Sequence, residues 1–386
     1  MMTKLQNQDL PLDSSITNST MEQILLPIEN ALHLPGEIYT SPDIFSREYE
    51  RIFSIDWLCV GRTEEVTKPG DYITTHIMSE PVLITLDEDE KLHAFSNLCK
   101  HRGVQLVDKP CGNTSRLTCP YHGWAYNLQG QLVGTTFMDR TSDFDASSVY
   151  LNRLKIDTWD GWLFVTFNKK ARPLSDFVNY LENDIGFLQM GRCRVAHKLV
   201  TTWDCNWKFV TENLSDPYHF RALHAKTIGS RIPAETYQFE LRERGDTMVS
   251  YDSASQTPEG NAPLGPMPWL DKYSPGMSVF SFLAPNMVII GRIDEIHVYC
   301  VWPEAVDRTR VVLYHLFPAE HFAQPNFNEK SKTYIDFLEQ IVEEDRYVAP
   351  YLQQAALSKN FTPGRLSWLE GAVYHQLRYN VERIFK

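Results

Sequence analysis

At 386 residues the chain exceeds the roughly 100–200 residues of one typical domain, so two or three units are expected. With 43% hydrophobic and 22% charged residues it can bury a large core, and a net charge of −12 argues against nucleic acid as a partner. No apolar run approaches the 18 or so residues of a membrane span, and seven cysteines without pairing rhythm or a secretory signal read as reduced thiols, so a soluble, cytoplasmic protein is expected.

In chain order, residues 1–20 lack an apolar core segment and read as an arm, and residues 21–60 read as helical. Within the latter, "SPDIFSREYERIFSIDW" offers Ser41 as N-cap and Pro42 at the first helical position, with Ile44, Tyr49, Ile52 and Phe53 as an apolar stripe. From about 61 to 167 the pattern turns to short strands: "DYITTHI", "EPVLITLD", "LHAFSN" and "GWLFVTFN" alternate or run apolar between Gly, Pro, Asp and Asn. After residue 170 helices return, in "PLSDFVNYLEND" and "NWKFVTENLSDPYHFRALH". Residues 236–318 are β-rich, with connections too short for parallel crossovers, and a helix begins near 326. The expected division is an N-terminal arm and helix (1–45) that belong with the catalytic unit, an all-β domain (46–168) and a catalytic domain (169–386).

Two stretches carry chemistry in the β region. "NLCKHRGVQL" holds Cys99 and His101, and "LTCPYHGWAYN" holds Cys119 and His122, giving C-x-H, seventeen residues, then C-x-x-H. Alone, the second pair equally suits a turn that buries aromatics. Together the four could hold zinc, although C-x-H is tight for a zinc site. They are also the ligand set of a Rieske [2Fe–2S] centre, with two thiolates on one iron and two imidazoles on the other. "CKHRG" and "CPYHGW" closely resemble the two cluster loops of Rieske domains.

Further on, "ENLSDPYHFRALHA" holds Asp216, His219 and His224. On an ideal helix two residues five apart point roughly 140° away from each other, so convergence on one metal needs a distorted backbone. Pro217 gives a reason: it either breaks a helix or sits first in a new one capped by Asp216. Two His and a carboxylate form the facial triad of non-haem Fe(II) oxygenases.

With a preceding cluster motif, D-x-x-H-x(4)-H resembles the Rieske non-haem iron oxygenases, specifically their terminal oxygenase (alpha) subunits. The likeness runs from about residue 36 to the closing "GRLSWLEGAVYHQLRY" and looks most like the branch of choline, carnitine and betaine monooxygenases and aromatic-acid hydroxylases. It implies an α+β fold: an all-β Rieske domain plus an antiparallel sheet with helices of the helix-grip, START-like kind. It implies Cys99, His101, Cys119 and His122 as cluster ligands, and His219 and His224 as ligands of a mononuclear Fe(2+). The third ligand falls within "IVEEDRYVAPYLQQA", pointing to Asp345 with Glu344 as the alternative register. Asn213 is a further residue of this region that, by the likeness, approaches the iron or is a helix-surface amide.

The resemblance also implies a homotrimer in which Asp216 bridges His219 and the neighbouring chain's His122, O2 as co-substrate, and electrons drawn from a separate flavin- or ferredoxin-type reductase. NAD(P)H is expected to act only through that reductase, since no G-x-G-x-x-G follows a strand. The activities implied are hydroxylation or oxidative demethylation of a small molecule, with a quaternary ammonium compound or an aromatic acid as substrate. A Rieske electron carrier without catalysis is the alternative of another class. The late strands offer Phe280, Phe282, Met287, Ile289, Tyr299 and Trp302 as candidate pocket residues, of which strand alternation admits half.

Overall fold

The computed structural model of the protein describes residues 22–385. The N-terminal arm expected over 1–20 lies outside the described residues. Helices α1 (Glu37–Thr40) and α2 (Pro42–Glu48) follow, the second capped as expected by the Ser41 side chain accepting from Ile44 N at 3.4 Å. The expected helical stretch to residue 60 is too long: after a π turn at Tyr49–Phe53 the chain enters strand β1 (Leu58–Arg62). Its five residues are all buried, and a run buried on both faces does not distinguish strand from helix by period.

The β-rich region continues with β2 (Asp71–Ile77), β3 (Glu80–Leu86), β4 (Leu92–Ser96), β5 (Cys111–Asn113), β6 (Leu117–Thr118), β7 (Ala125–Tyr126), β8 (Leu132–Gly134), β9 (Arg153–Trp159) and β10 (Trp162–Thr166). One sheet runs β1-β10-β9-β4-β3-β2-β5, and a smaller one runs β6-β7-β8. Beneath the small sheet Tyr72, Leu83, Phe95, Leu106, Trp124 and Tyr126 make a compact apolar cluster that includes Cys99 and Cys119.

Helix α3 (Leu174–Ile185) leads to β11 (Cys193–Trp203), a strand the sequence reading did not anticipate. Exposed Val200, with His197 and Thr201 on the covered side, obscures its period, yet it pairs with β17 (Arg308–Pro318) along nearly its whole length. The second sheet runs β11-β17-β16-β15-β14-β13-β12, all antiparallel, with β12 (Gln238–Arg242), β13 (Gly245–Ser250), β14 (Ser278–Leu283), β15 (Met287–Arg292) and β16 (Ile296–Ala305). One face packs on the first sheet: Asn286 accepts from Cys59 N at 3.1 Å and donates to its carbonyl at 2.9 Å, and Trp162 meets Tyr314 edge to face. The other face carries helices α4 (Trp207–Leu214), α6 (Phe327–Ala356) and, toward β13, α7 (Gly371–Phe385), while α5 is the single turn Phe220–Leu223.

A buried ion pair ties the N-terminal helices to this layer. Glu48, fully buried, binds Lys208 and accepts from Trp207 Nε1 at 2.7 Å, which fixes α2 against the start of α4. Desolvating both charges gains little net stability, but it fixes one arrangement, because either charge left unpaired in the core costs several kcal/mol, about 3–5.

Candidate active site

Cys99 and Cys119 start two turns built alike. In each, a glycine in the left-handed region (Gly103 φ 74°, Gly123 φ 73°) lets the chain fold back, and its N–H donates to the cysteine carbonyl at 2.9 and 3.1 Å. The cysteine N–H groups in turn donate to Val104 O and Trp124 O, both at 2.8 Å. The thiols are buried, 3% exposed each, and the two imidazoles stand outside them with Nδ1 atoms 3.1 Å apart. Trp124 stacks on His101 and Tyr121 leans over His122. The Tyr126 hydroxyl accepts from Lys100 N at 3.0 Å, so its own proton is free to point at Cys99 Sγ, 3.4 Å away. Two thiols inside, two imidazoles outside and a hydroxyl donor on one sulfur suit the donor set of a [2Fe–2S] group, whose potential such a hydrogen bond raises.

The second constellation lies on the other sheet's helix face. Helix α4 ends at Ser215, and Asp216 opens a 3-10 turn (Pro217–His219), its side chain accepting from Tyr218 N at 2.6 Å. Of the two sequence readings of Pro217, the new turn is the one formed. His219 then begins α5 and His224 ends it, so the two imidazoles converge, Nε2 to Nε2, at 3.1 Å. Asp345, from the middle of α6, places Oδ1 3.4 Å from His219 Nε2 and 3.1 Å from His224 Nε2. All three donor atoms lie within 4.8 Å of one another.

Each member is held from behind. Asp216 Oδ2 lies 3.1 Å from His219 Nδ1, and Glu344 Oε2 lies 2.7 Å from His224 Nδ1 while also accepting from Thr227 Oγ1 at 2.7 Å. Asn213 donates to Asp345 Oδ1 at 3.2 Å. Burial would raise the Asp345 pKa, but hydrogen bonds from both imidazoles hold it down to about 2. Burial would lower His219's, yet Asp216 and then Asp345 push it up to about 9. A carboxylate behind each ring fixes the tautomer that turns the Nε2 lone pair inward, the way ligand imidazoles are oriented at metals. The donor set and its largely buried placement fit a ferrous ion.

Asp345 and Glu344 are therefore both present, in different places: Asp345 faces the two Nε2 atoms and Glu344 backs one ring. The sequence reading weighed Glu344 only as a rival ligand; adjacent acidic residues on a helix cannot be assigned without knowing the packed face. Replacing Glu344 with Ala is expected to weaken iron binding by about 10–100-fold while leaving the cluster's visible spectrum intact, measured by iron titration of the apoprotein.

Of the candidate pocket residues, register puts Phe280, Phe282 and Tyr299 on the helix face and Met287, Ile289 and Trp302 on the face toward the first sheet. Phe280 meets Phe220 at 6.0 Å and Tyr237 at 5.6 Å, and Phe220 lies 5.1 Å from the His219 ring.

The chain matches two family models: the Rieske [2Fe-2S] domain over residues 56–149 and the ring hydroxylating alpha subunit (catalytic domain) over 190–384. It is 33% identical over 199 residues to the glycine betaine monooxygenase oxygenase subunit of Chromohalobacter salexigens, covering 52% of this chain and 44% of that protein. It is 32% identical over 213 residues to the anthranilate 1,2-dioxygenase large subunit of Burkholderia cepacia, covering 51% and 49%. The matched stretch thus spans about half the length of these curated relatives. Among solved structures, the quaternary ammonium Rieske monooxygenase CntA with L-carnitine shares the fold, with a TM-score of 0.76 at 22% identity over 94% of this chain and 96% of that one. Naphthalene 1,2-dioxygenase from Rhodococcus sp. does so with a TM-score of 0.78 at 18% identity over 96% and 97%. The chain belongs to the ring-hydroxylating alpha subunit family, with a Rieske [2Fe–2S] domain ahead of its catalytic domain.

Proposed function

We propose that the protein is a terminal oxygenase that uses O2 and electrons from a separate reductase to hydroxylate or oxidatively demethylate a small molecule. The observation that carries this is the pairing, in one chain, of a Cys2His2 set with a separate His2Asp set backed by carboxylates. In this reading Cys99, His101, Cys119 and His122 hold the cluster within a domain of residues 46–168, and His219, His224 and Asp345 hold Fe(2+) within residues 169–386, to which the first 45 residues add. Bound there, the two groups supply one-electron delivery and O2 activation.

The chain's own residues do the rest. His219, His224 and Asp345 would hold the ion, which would supply the O2 chemistry there. Asp216 and Glu344 accept the Nδ1 protons and keep the rings turned. Phe220, Tyr237 and Phe280 wall the site with apolar rings that exclude water. In balance, O2, two electrons and two protons convert a C–H bond to C–OH and release water; on an N-methyl group the resulting hydroxymethyl amine sheds formaldehyde.

Quaternary ammonium compounds are the favoured substrates, since relatives named for glycine betaine and carnitine match the chain and aromatic rings near the ligands suit a methylated cation. An aromatic acid is the second reading, favoured by the anthranilate dioxygenase match. We further propose a cytoplasmic homotrimer, closed head to tail so that Asp216 of one chain meets His122 of the next.

Oxygen uptake with a supplied reductase, screened over quaternary amines and aromatic acids, tests the reading. The protein with NADH, O2 and substrate alone is expected to be inactive, and the rate restored by a reductase is expected to fall as salt rises, because weakly bound redox partners are steered by charge. Sustained NADH-driven turnover without a reductase contradicts this, and so does the absence of substrate-dependent oxygen uptake across the screen.

A further inference from the structure

The sheet floor that begins at the ligand histidines changes character across its width. Directly opposed residues of an antiparallel sheet share a face, so the row Phe280, Ile290, His297, His315 and His197 lies on the helix face. The row is apolar where Phe280 meets Phe220, beside His219, and polar two strands further on. Two residues along β15 from Ile290, on the same face, stands Arg292, opposite Ser278.

Arg292 is 2% exposed. One terminal nitrogen donates to Ala254 O at 3.3 Å, while Nε and the other terminal nitrogen have no partner among the described residues. These two are the parallel donors of one guanidinium edge, the fork that pairs with both oxygens of a carboxylate. A buried guanidinium with that edge empty is costly unless something fills it. Its acidic neighbours do not hydrogen-bond that edge: Asp294 Oδ2 accepts from the Tyr334 hydroxyl at 2.8 Å and Glu295 Oε2 lies 2.7 Å from His297 Nε2, while Asp294 Oδ1 and Glu295 Oε1 are buried without a partner among the described residues. Burial pushes the Glu295 carboxyl well above the usual carboxylate range, and Arg292 pulls it back down. His297 Nδ1 and both His315 nitrogens, also buried, have no hydrogen-bond partner among the described residues.

We infer that Arg292, with His297 and His315, receives the carboxylate of a substrate whose oxidised end lies in the Phe220–Tyr237–Phe280 corner. Strand spacing and rise put Arg292 about 8 Å from Phe280 along the floor, a separation that a short acid with a methylated ammonium or a ring at its other end bridges. The inference rests on the oxygenase reading only for the identity of the oxidised end. It narrows that reading: carnitine, a betaine or an aromatic acid satisfies the empty edge, and choline, which has no carboxylate, does not.

The test is calorimetric binding to the metal-loaded protein without O2 or reductase, so it stands whether or not turnover is found. Glycine betaine, carnitine and benzoate are titrated against choline and benzyl alcohol, in wild type, Arg292→Lys and Arg292→Gln. At least one carboxylate is expected to bind well and its alcohol counterpart weakly. Arg292→Gln is expected to weaken the carboxylate by at least about 30-fold, with Arg292→Lys between, while the alcohols are unchanged. Visible absorption and iron content confirm that each variant is folded and loaded. Tighter binding of choline than of betaine, or carboxylate affinity unchanged in a loaded Arg292→Gln protein, overturns the inference. So does a zinc ion found in wild type and lost in His315→Ala, since Glu295, His297 and His315 then serve a cation.

Discussion

Replacing Asp216 with Ala is expected to weaken iron binding, as for Glu344, yet to lower turnover by about 100-fold or more even when excess Fe(2+) keeps both metal centres loaded. Asp216 has two jobs inside its own chain: one oxygen caps the turn that starts at Pro217, the other holds His219 Nδ1. Its third, proposed job lies between chains. If both cluster imidazoles use Nδ1 toward the cluster, as their 3.1 Å approach suits, Nε2 of His122 is left to donate to a carboxylate outside. Asp216 is partly exposed at its side chain (18%), so it is within reach of such a donor. The signature of a bridge is kinetic: in a pre-reduced protein given O2 and substrate, cluster reoxidation slows while iron content stays near normal. Asp216→Asn, which keeps a capping oxygen, separates the roles, since it preserves the turn but cannot accept from both histidines. In the proposed assembly, mixing Cys99→Ser and Asp345→Ala chains is expected to regain part of the activity each lacks alone. Normal reoxidation in an iron-replete Asp216→Ala protein removes the bridge.

Asp345→Ala is expected to abolish mononuclear iron binding and turnover while the cluster's absorption and the fold persist. Asp345 is buried, and its Oδ1 is the atom on which both Nε2 atoms and Asn213 converge. Removing it leaves two imidazoles, too few for a tight ferrous site. Iron analysis with the visible spectrum reads this directly. Full iron occupancy in Asp345→Ala, with loss instead in Glu344→Ala, reverses the two roles.

Much of this was legible before the structure. Both Cys–His pairs could be read because two short motifs flanked by glycine leave little freedom, and Gly103 and Gly123 indeed take the left-handed conformation. The histidines of the second set were legible by spacing, but their convergence was not: it depends on the chain restarting at Asp216 and on α5 lasting one turn. Glu344's place behind His224 depends on how α6 rolls against the sheet, which neighbouring acids do not encode. Strand β11 was hidden because its alternation is broken by Val200 on the exposed side and by His197 and Thr201 on the covered one. The Arg292 row was invisible for a different reason: it is assembled by register across β11 and β14 to β17, from residues up to 118 positions apart (His197 to His315).

Metal and sulfide analysis of the purified protein tests the central claim most directly. A terminal oxygenase with both centres carries about three irons and two acid-labile sulfides per chain. Two irons and two sulfides, unchanged in Asp345→Ala, describe an electron carrier, and zinc in place of iron and sulfide describes neither; either result contradicts the account.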